Sequence, residues 1–251
     1  MISTICLRIG ALARFILVAM VTIVTMIAMV MSPAARAAAP AGTVAYTSGI
    51  VSIESASGAK RFAVAGSAIE SGDTVGTAKG AEAVLLMADH ARIYLKADSR
   101  FRIDDFRFGE ADPKQNVSVS SLLRGGLRVI SGLIGKQGNP NAYKLKTLTA
   151  TIGIRGTEWS VLECGQSGVG SGSPMSTPAG EPRIASSFDC PAGKVGEHIR
   201  VYHGTIDVRT EADDQLLSEG FGTIIRSAHS SFAIMPGADV EPVIPSPAAC
   251  Q

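Results

Sequence analysis

From Thr43 onward, hydrophobic and polar positions alternate with a period of two, and Gly, Asp, Asn or Ser interrupts the alternation at short intervals. A strand turns successive side chains to opposite faces, so the pattern predicts many short strands, each with one buried face. Long helical periodicity is missing. Val51 and Ile53, then Phe62 and Val64, alternate on either side of the turn formers Ser57 and Gly58 and predict a first hairpin. Val84 to Met87 is an apolar strand, Asp89 and His90 form a turn, and Arg92 to Lys96 returns with Ile93 and Leu95 on one face. Phe101 and Ile103 continue the alternation as far as a polar break at Glu110 to Gln115. Leu122 to Ile134 is dense in apolar residues, but Gly125, Gly126 and Gly132 argue against a helix, so it reads as strand, loop, strand. Tyr143, Leu145 and Thr147 share one face, Ala150, Ile152 and Ile154 another, and Thr149 to Val161 reads as one long strand with Gly153 and Gly156 inside it. Alternation resumes at Glu197, with a turn at His203 and Gly204.

The fold class is therefore all-β. Gly49-Ile-Val-Ser-Ile53 resembles Gly204-Thr-Ile-Asp-Val208, and Gly66 and Gly220 follow at similar distances, which suggests repeated hairpin-sized units. Such units cannot bury an apolar face alone, so stacked hairpins in a β-solenoid or β-roll are expected, with a β-sandwich as the alternative. Residues 43–235 form the expected domain, 165–182 a loop rich in Gly, Ser and Pro, and 236–251 a proline-rich extended tail.

Residues 1–37 read as a targeting segment. Arg8 and Arg14 give a positive start, Phe15 to Met31 carries no charge, Pro33 breaks the run, and Ala35-Arg36-Ala37 offers small residues at a cleavable spacing. Cleavage after Ala37 into the periplasm is expected. The apolar run also touches the lower limit of a spanning helix, about 17 residues, so an uncleaved anchor in the inner membrane, its body facing the periplasm, is the alternative. Membrane contact is expected only through this leader. Lys and Arg number 23 against 22 Asp and Glu, a balance that argues against nucleic acid as partner.

An oxidising compartment makes a disulfide between Cys164 and Cys190 plausible, because the two flank the Gly/Ser/Pro loop. Free thiols are the alternative, and Cys250 is left over. The four histidines, at 90, 198, 203 and 229, do not converge: they read as exposed turn or face residues, and no metal site or cofactor is expected. Gly165 to Gly170 lacks the lysine of a phosphate loop and the spacing of a serine elbow. Asp104-Asp105 and Asp213-Asp214 are adjacent on strands and point to opposite faces, so neither forms an acid pair. The expectation is a protein that is not an enzyme.

Thr147-Leu-Thr-Ala-Thr-Ile-Gly-Ile-Arg-Gly-Thr-Glu-Trp-Ser-Val161 resembles the signature of the FecR domain family. Ser71 to Thr77, the hairpin Ala83 to Lys96, Leu123 to Val129 and Val201 to Val208 fall in that family's order. The chain departs from the pattern at Asp89-His90, where Asp-Gly is usual, at Leu148 for proline, at Trp159 for phenylalanine, and by the loop between Cys164 and Cys190. Sigma-regulating members carry a cytoplasmic segment before their spanning helix, whereas only a short positive stretch precedes Phe15, so direct control of a sigma factor is not expected. The resemblance implies an extracytoplasmic module that binds another envelope protein in sensing or signal transduction, with a cell-wall or carbohydrate-binding scaffold as the alternative. Arg155 and Gly156 could form a recognition turn or a structural one in which Arg155 bonds carbonyls across a bulge, the structural reading being preferred. Trp159 reads as a core side chain with a satisfied indole N–H rather than a ligand platform.

Overall fold

The computed structural model describes residues 39–136, 139, 141–164 and 195–240, together with Met20. The leader, the 165–182 loop, Cys190, Cys250 and the tail beyond 240 lie outside them. In chain order the strands are β1 (Gly42–Ser48), β2 (Val51–Glu54), β3 (Lys60–Phe62), β4 (Ala68–Ile69), β5 (Thr74–Thr77) and β6 (Glu82–Met87). There follow β7 (Arg92–Leu95), β8 (Arg100–Arg107), β9 (Val117–Arg124), β10 (Gly126–Ile130), β11 (Tyr143–Lys146) and β12 (Thr151–Ile154). The last are β13 (Glu158–Cys164), β14 (Gly196–His203), β15 (Thr205–Arg209), β16 (Asp214–Ser218), β17 (Phe221–Ile225) and β18 (Met235–Pro236).

They build two nine-stranded sheets. One runs β18-β17-β14-β13-β10-β7-β6-β1-β4, the other β16-β15-β12-β11-β9-β8-β5-β2-β3. The chain passes from sheet to sheet one or two strands at a time and advances along both. Pairings are antiparallel except β9 with β11, which is parallel. The fold is all-β, and among the described residues neither sheet closes into a barrel.

Alternation places the core. Ile93 and Leu95 of β7, Trp159 and Val161 of β13, Ile199 and Val201 of β14, and Ile206 and Val208 of β15 join one buried cluster fed by both sheets. Each such side chain removed from water stabilises the fold by roughly 1.5–3 kcal/mol before chain entropy is set against it. Val84, Tyr94, Leu162 and Cys164 form a second, smaller buried cluster, with Tyr94 and Leu162 out of phase with the core-facing residues of their strands. The core lies within the compact unit that starts at Ala39.

Two turns hold the sharpest conformations. His90 adopts a left-handed φ of 67°, a role more often given to glycine. Beside it, buried Asp89 accepts the backbone N–H groups of Ala91 and Ile134. Gly49, Gly66, Gly204 and Gly220, the glycines of the two similar segments, all have positive φ, and β2 and β15 that follow Gly49 and Gly204 lie in the same sheet.

The structure revises several local expectations. Thr149 to Val161 is not one strand: β12 ends at Ile154 in one sheet and β13 begins at Glu158 in the other. The stretch Leu122 to Ile134 crosses between sheets at Gly125, and Ile134 opens a short 3-10 turn instead of closing a strand. Phe62 and Val64 are exposed, since β3 is an edge strand. Met235–Pro236 pairs with β17 and Val240 is buried, so the tail begins docked on the sheet.

Candidate functional site

The corner between β12 and β13 is built on Gly156, whose φ of 71° is open to glycine and costly for a branched side chain. A reversal here, rather than a bulge, carries the chain from one sheet to the other. The Arg155 backbone N–H donates to the Thr205 carbonyl at 3.2 Å and ties this corner to the next one, at Gly204. Gly204 has φ 79°, and a Cβ on it would meet Gly156 O at 2.5 Å and Thr157 Cγ2 at 3.0 Å. The two corners thus stack with no room for a side chain between them.

Arg155 is exposed. Its positive charge lies close enough to Asp207 to favour that carboxylate, although burial, ahead of the neighbouring Asp214, pushes Asp207 up from the ordinary aspartate range. Arg209 pairs with both acids, at 3.4 Å to Asp207 and 2.8 Å to Asp214. No bond from the Arg155 guanidinium to a carbonyl across the corner is found among the described residues. Gly156 carries the structural duty at this corner, and the Arg155 head group faces solvent.

Trp159 follows the corner and is wholly buried between its cross-strand partners Val129 and Val201. Its indole N–H has no hydrogen-bond partner among the described residues, which differs from the expectation of a satisfied donor. On the opposite face of β13 the partners are polar. Arg128 bonds Glu158 at 2.6 Å and stacks 3.8 Å over the Tyr202 ring, and the Tyr202 hydroxyl lies 3.2 Å from Ser160 Oγ. Packing inside and this braced polar face outside fix where the corner presents Arg155.

Cys164 ends β13, fully buried. The residue before it, Glu163, and its partner Glu197 are two buried acids that the sequence reading passed over. Their signal was phase: Glu163 keeps the parity of Trp159 and Val161, and Glu197 that of Ile199 and Val201.

The remaining candidates disperse. His203 and His229 are exposed beside Glu219 and Glu211, whereas His198 is buried, which corrects its reading as an exposed residue. Among the described residues no three metal-binding side chains converge. Asp104 is held by Arg102 and Ser121, and Asp105 by Arg107. An open groove of about 230 Å³ crosses β2, β5 and β8, with Ser52, Glu54, Lys60, Arg100 and Arg124 among its lining residues.

Residues 73–170 match the family model of FecR protein. This part of the chain is similar to that family and consistent with a FecR-like domain. The match runs from just before β5 to beyond β13, so it contains the Arg155–Gly156 corner, Trp159, Glu163 and Cys164, while Glu197 and the Gly204 corner lie past its end. Two crystal structures of a candidate anti-sigma factor from Parabacteroides distasonis ATCC 8503 align with the chain at 9% identity and a TM-score of 0.44. Each alignment covers 65% of this chain and 59% of that one, so the chain spans less than two thirds of that protein's length. No curated protein matches the sequence.

Proposed function

We propose that the chain is a non-catalytic, extracytoplasmic FecR-like module that binds another envelope protein in sensing or signal transduction. The observation that carries this reading is the FecR family match across the corner that presents Arg155 to solvent. A guanidinium on a rigid corner is suited to a partner's carboxylate, because its planar fork makes paired hydrogen bonds and loses little freedom on binding. The leader at 1–37 supports export, with cleavage after Ala37 or retention as an inner-membrane anchor facing the periplasm. A Cys164–Cys190 disulfide would close the chain between β13 and β14 and suits that compartment. The advance of the chain along both sheets favours stacked units, with a sandwich still compatible.

The groove over β2, β5 and β8 favours a second reading, a scaffold on wall polymer, because it is open and carries the polar side chains of Ser52, Glu54, Lys60, Arg100 and Arg124. It contains no aromatic ring, which weakens it as a sugar-stacking surface. Both readings meet in one experiment. The mature chain is immobilised and offered detergent-solubilised envelope protein and, separately, purified peptidoglycan. A single stoichiometric protein partner is expected. Retention on peptidoglycan with no protein bound would replace the first reading by the second.

A further inference from the structure

The sheet that runs from β18 to β4 has one face on the core, through Ile93, Trp159, Val161 and Ile199. Its outer face carries a row in register that crosses Gly222 of β17, Arg200 of β14, Ser160 of β13, Arg128 of β10, Tyr94 of β7 and Val84 of β6. A second row beside it crosses Ile224, His198 and Leu162.

Much of this outer face is as buried as an interior. Val84 is 2% exposed, Tyr94 5%, Leu162 1% and His198 2%, whereas Tyr46, the partner of Val84 on β1, is 46% exposed. An antiparallel sheet with one face on the core commonly turns the other, polar, to water. A tyrosine and a leucine held this far from solvent need a further layer over them. The core does not supply it, because Val84, Tyr94 and Leu162 pack in a cluster of their own. Arg92, Tyr94, Arg128, His198 and Tyr202, all on this face, each make an interaction besides those named above.

The chain itself enters this face at one end. β18 pairs with β17 at the edge of the sheet, and Val240, a few residues on, comes to lie over Gly222. A Cβ on Gly222 would fall 2.9 Å from Val240 Cγ2, and a Cβ on Gly237 would fall 3.1 Å from Arg200 Nε. Glycine at both positions lets the turn Gly237–Asp239 sit down on the row, and Val240 is buried there. The sequence then continues Glu241-Pro-Val-Ile-Pro-Ser-Pro-Ala-Ala-Cys-Gln251.

Its composition suits the face. Pro242, Pro245 and Pro247 have no N–H to leave unpaired and favour an extended chain, and Val243 and Ile244 supply apolar surface. Proline-rich segments dock on aromatic rings, and Tyr94 and Tyr202 lie on this face. Glu241, the only charged side chain of the segment, matches the cation of Arg200. The reach is sufficient. An extended chain advances about 3.1 Å per residue, so residues 241–251 span roughly 34 Å, against about 19 Å for the strand spacings from β17 to β7. Residues 165–194, which follow Cys164, are the competing segment, but they are rich in Gly and Ser and carry little apolar surface for their length.

We propose that residues 241–251 lie across the outer face of this sheet and form the layer over Val84, Tyr94 and Leu162. The segment continues the course that Val240 begins, from β17 over β14, β13 and β10 to β7. A protein or polymer that used this face would have to displace it.

The test compares the mature chain with the same chain ended at Val240. Without 241–251, fluorescence of the apolar dye anilinonaphthalene sulfonate is expected to rise severalfold and the urea midpoint to fall, because Val84, Tyr94 and Leu162 lose their cover. Unchanged dye binding at an unchanged midpoint would overturn the proposal. A second measurement uses the intact mature chain and decides the matter if the shortened one fails to fold: nuclear Overhauser contacts of the Tyr94 ring. Contacts to Val243, Ile244 or the proline rings of the segment are expected. Contacts to side chains of 165–194 alone would overturn the proposal in favour of that segment, and contacts to neither would overturn it in favour of a separate partner.

Discussion

Gly156 and Gly204 stand back to back, the α-carbon of Gly204 so near the carbonyl of Gly156 that a Cβ would come within 2.5 Å of its oxygen. Both have positive φ, and both lie where the chain changes sheet. Two effects therefore add at Gly204, a left-handed backbone and a backbone clash. At Gly58, φ is 85° but a Cβ would meet nothing within 4 Å. Gly204→Ala is expected to cost about 2–4 kcal/mol, against about 1 kcal/mol for Gly58→Ala, where only the backbone term acts. Urea denaturation of the two variants checks this, and equal losses would mean that the corners are not in contact.

Gly156→Val tests the same corner from the other side. A Cβ there would lie 3.4 Å from Lys136 Cγ, an ordinary contact, so the cost comes from φ and from branching at Cβ. A loss of about 1–3 kcal/mol is expected in the urea midpoint.

Trp159 is the single tryptophan, wholly buried, with its indole N–H unpartnered among the described residues. Trp159→Phe gives up packing area but also removes a buried donor with no partner among the described residues, so the two effects oppose one another. The variant is expected to lose less than about 1.5 kcal/mol, whereas Trp159→Ala, which leaves a cavity, loses about 3–5 kcal/mol. Fluorescence of the folded wild type should be blue-shifted and move to the red on unfolding. A red emission maximum in the native protein would contradict burial.

The proposed Cys164–Cys190 bridge makes a covalent prediction. Intact mass should rise by two hydrogens on reduction, neither thiol should alkylate before it, and Cys250 should alkylate freely. Reduction should lower stability by roughly 3–4 kcal/mol on the chain-entropy account. Alkylation of Cys164 and Cys190 in the native, unreduced protein would remove the bridge.

The strands were legible because alternation at period two is a local property, and β6, β7, β14 and β15 appear where Val84, Ile93, Ile199 and Ile206 placed them. The FecR resemblance was legible for a different reason, the glycine-centred motif around Arg155. The path between sheets was not. Alternation continues through Arg155 and Gly156 in the sequence, and only the three-dimensional course shows that φ at Gly156 reverses the chain. Exposure of Phe62 was hidden as well, since an edge strand and a central strand share one pattern. Glu163 and Glu197 were missed because the reading looked for acids near one another in sequence. These two are adjacent only through strand register, and their shared phase with core residues was the available clue.

The central claim is that the corner presents Arg155 for recognition while Gly156 supplies the structure. Binding of the envelope partner and the urea midpoint, measured on the same preparation of Arg155→Glu, test it most directly. Arg155 is exposed and makes no side-chain hydrogen bond to a described residue, so apart from the weak, solvent-screened repulsion of the new charge by Asp207 stability should match wild type within about 1 kcal/mol. Capture of the partner should fall by about tenfold or more if the guanidinium meets a carboxylate, since reversing the charge replaces attraction with repulsion. Undiminished capture at an unchanged midpoint would contradict the account and move the recognition surface away from this corner.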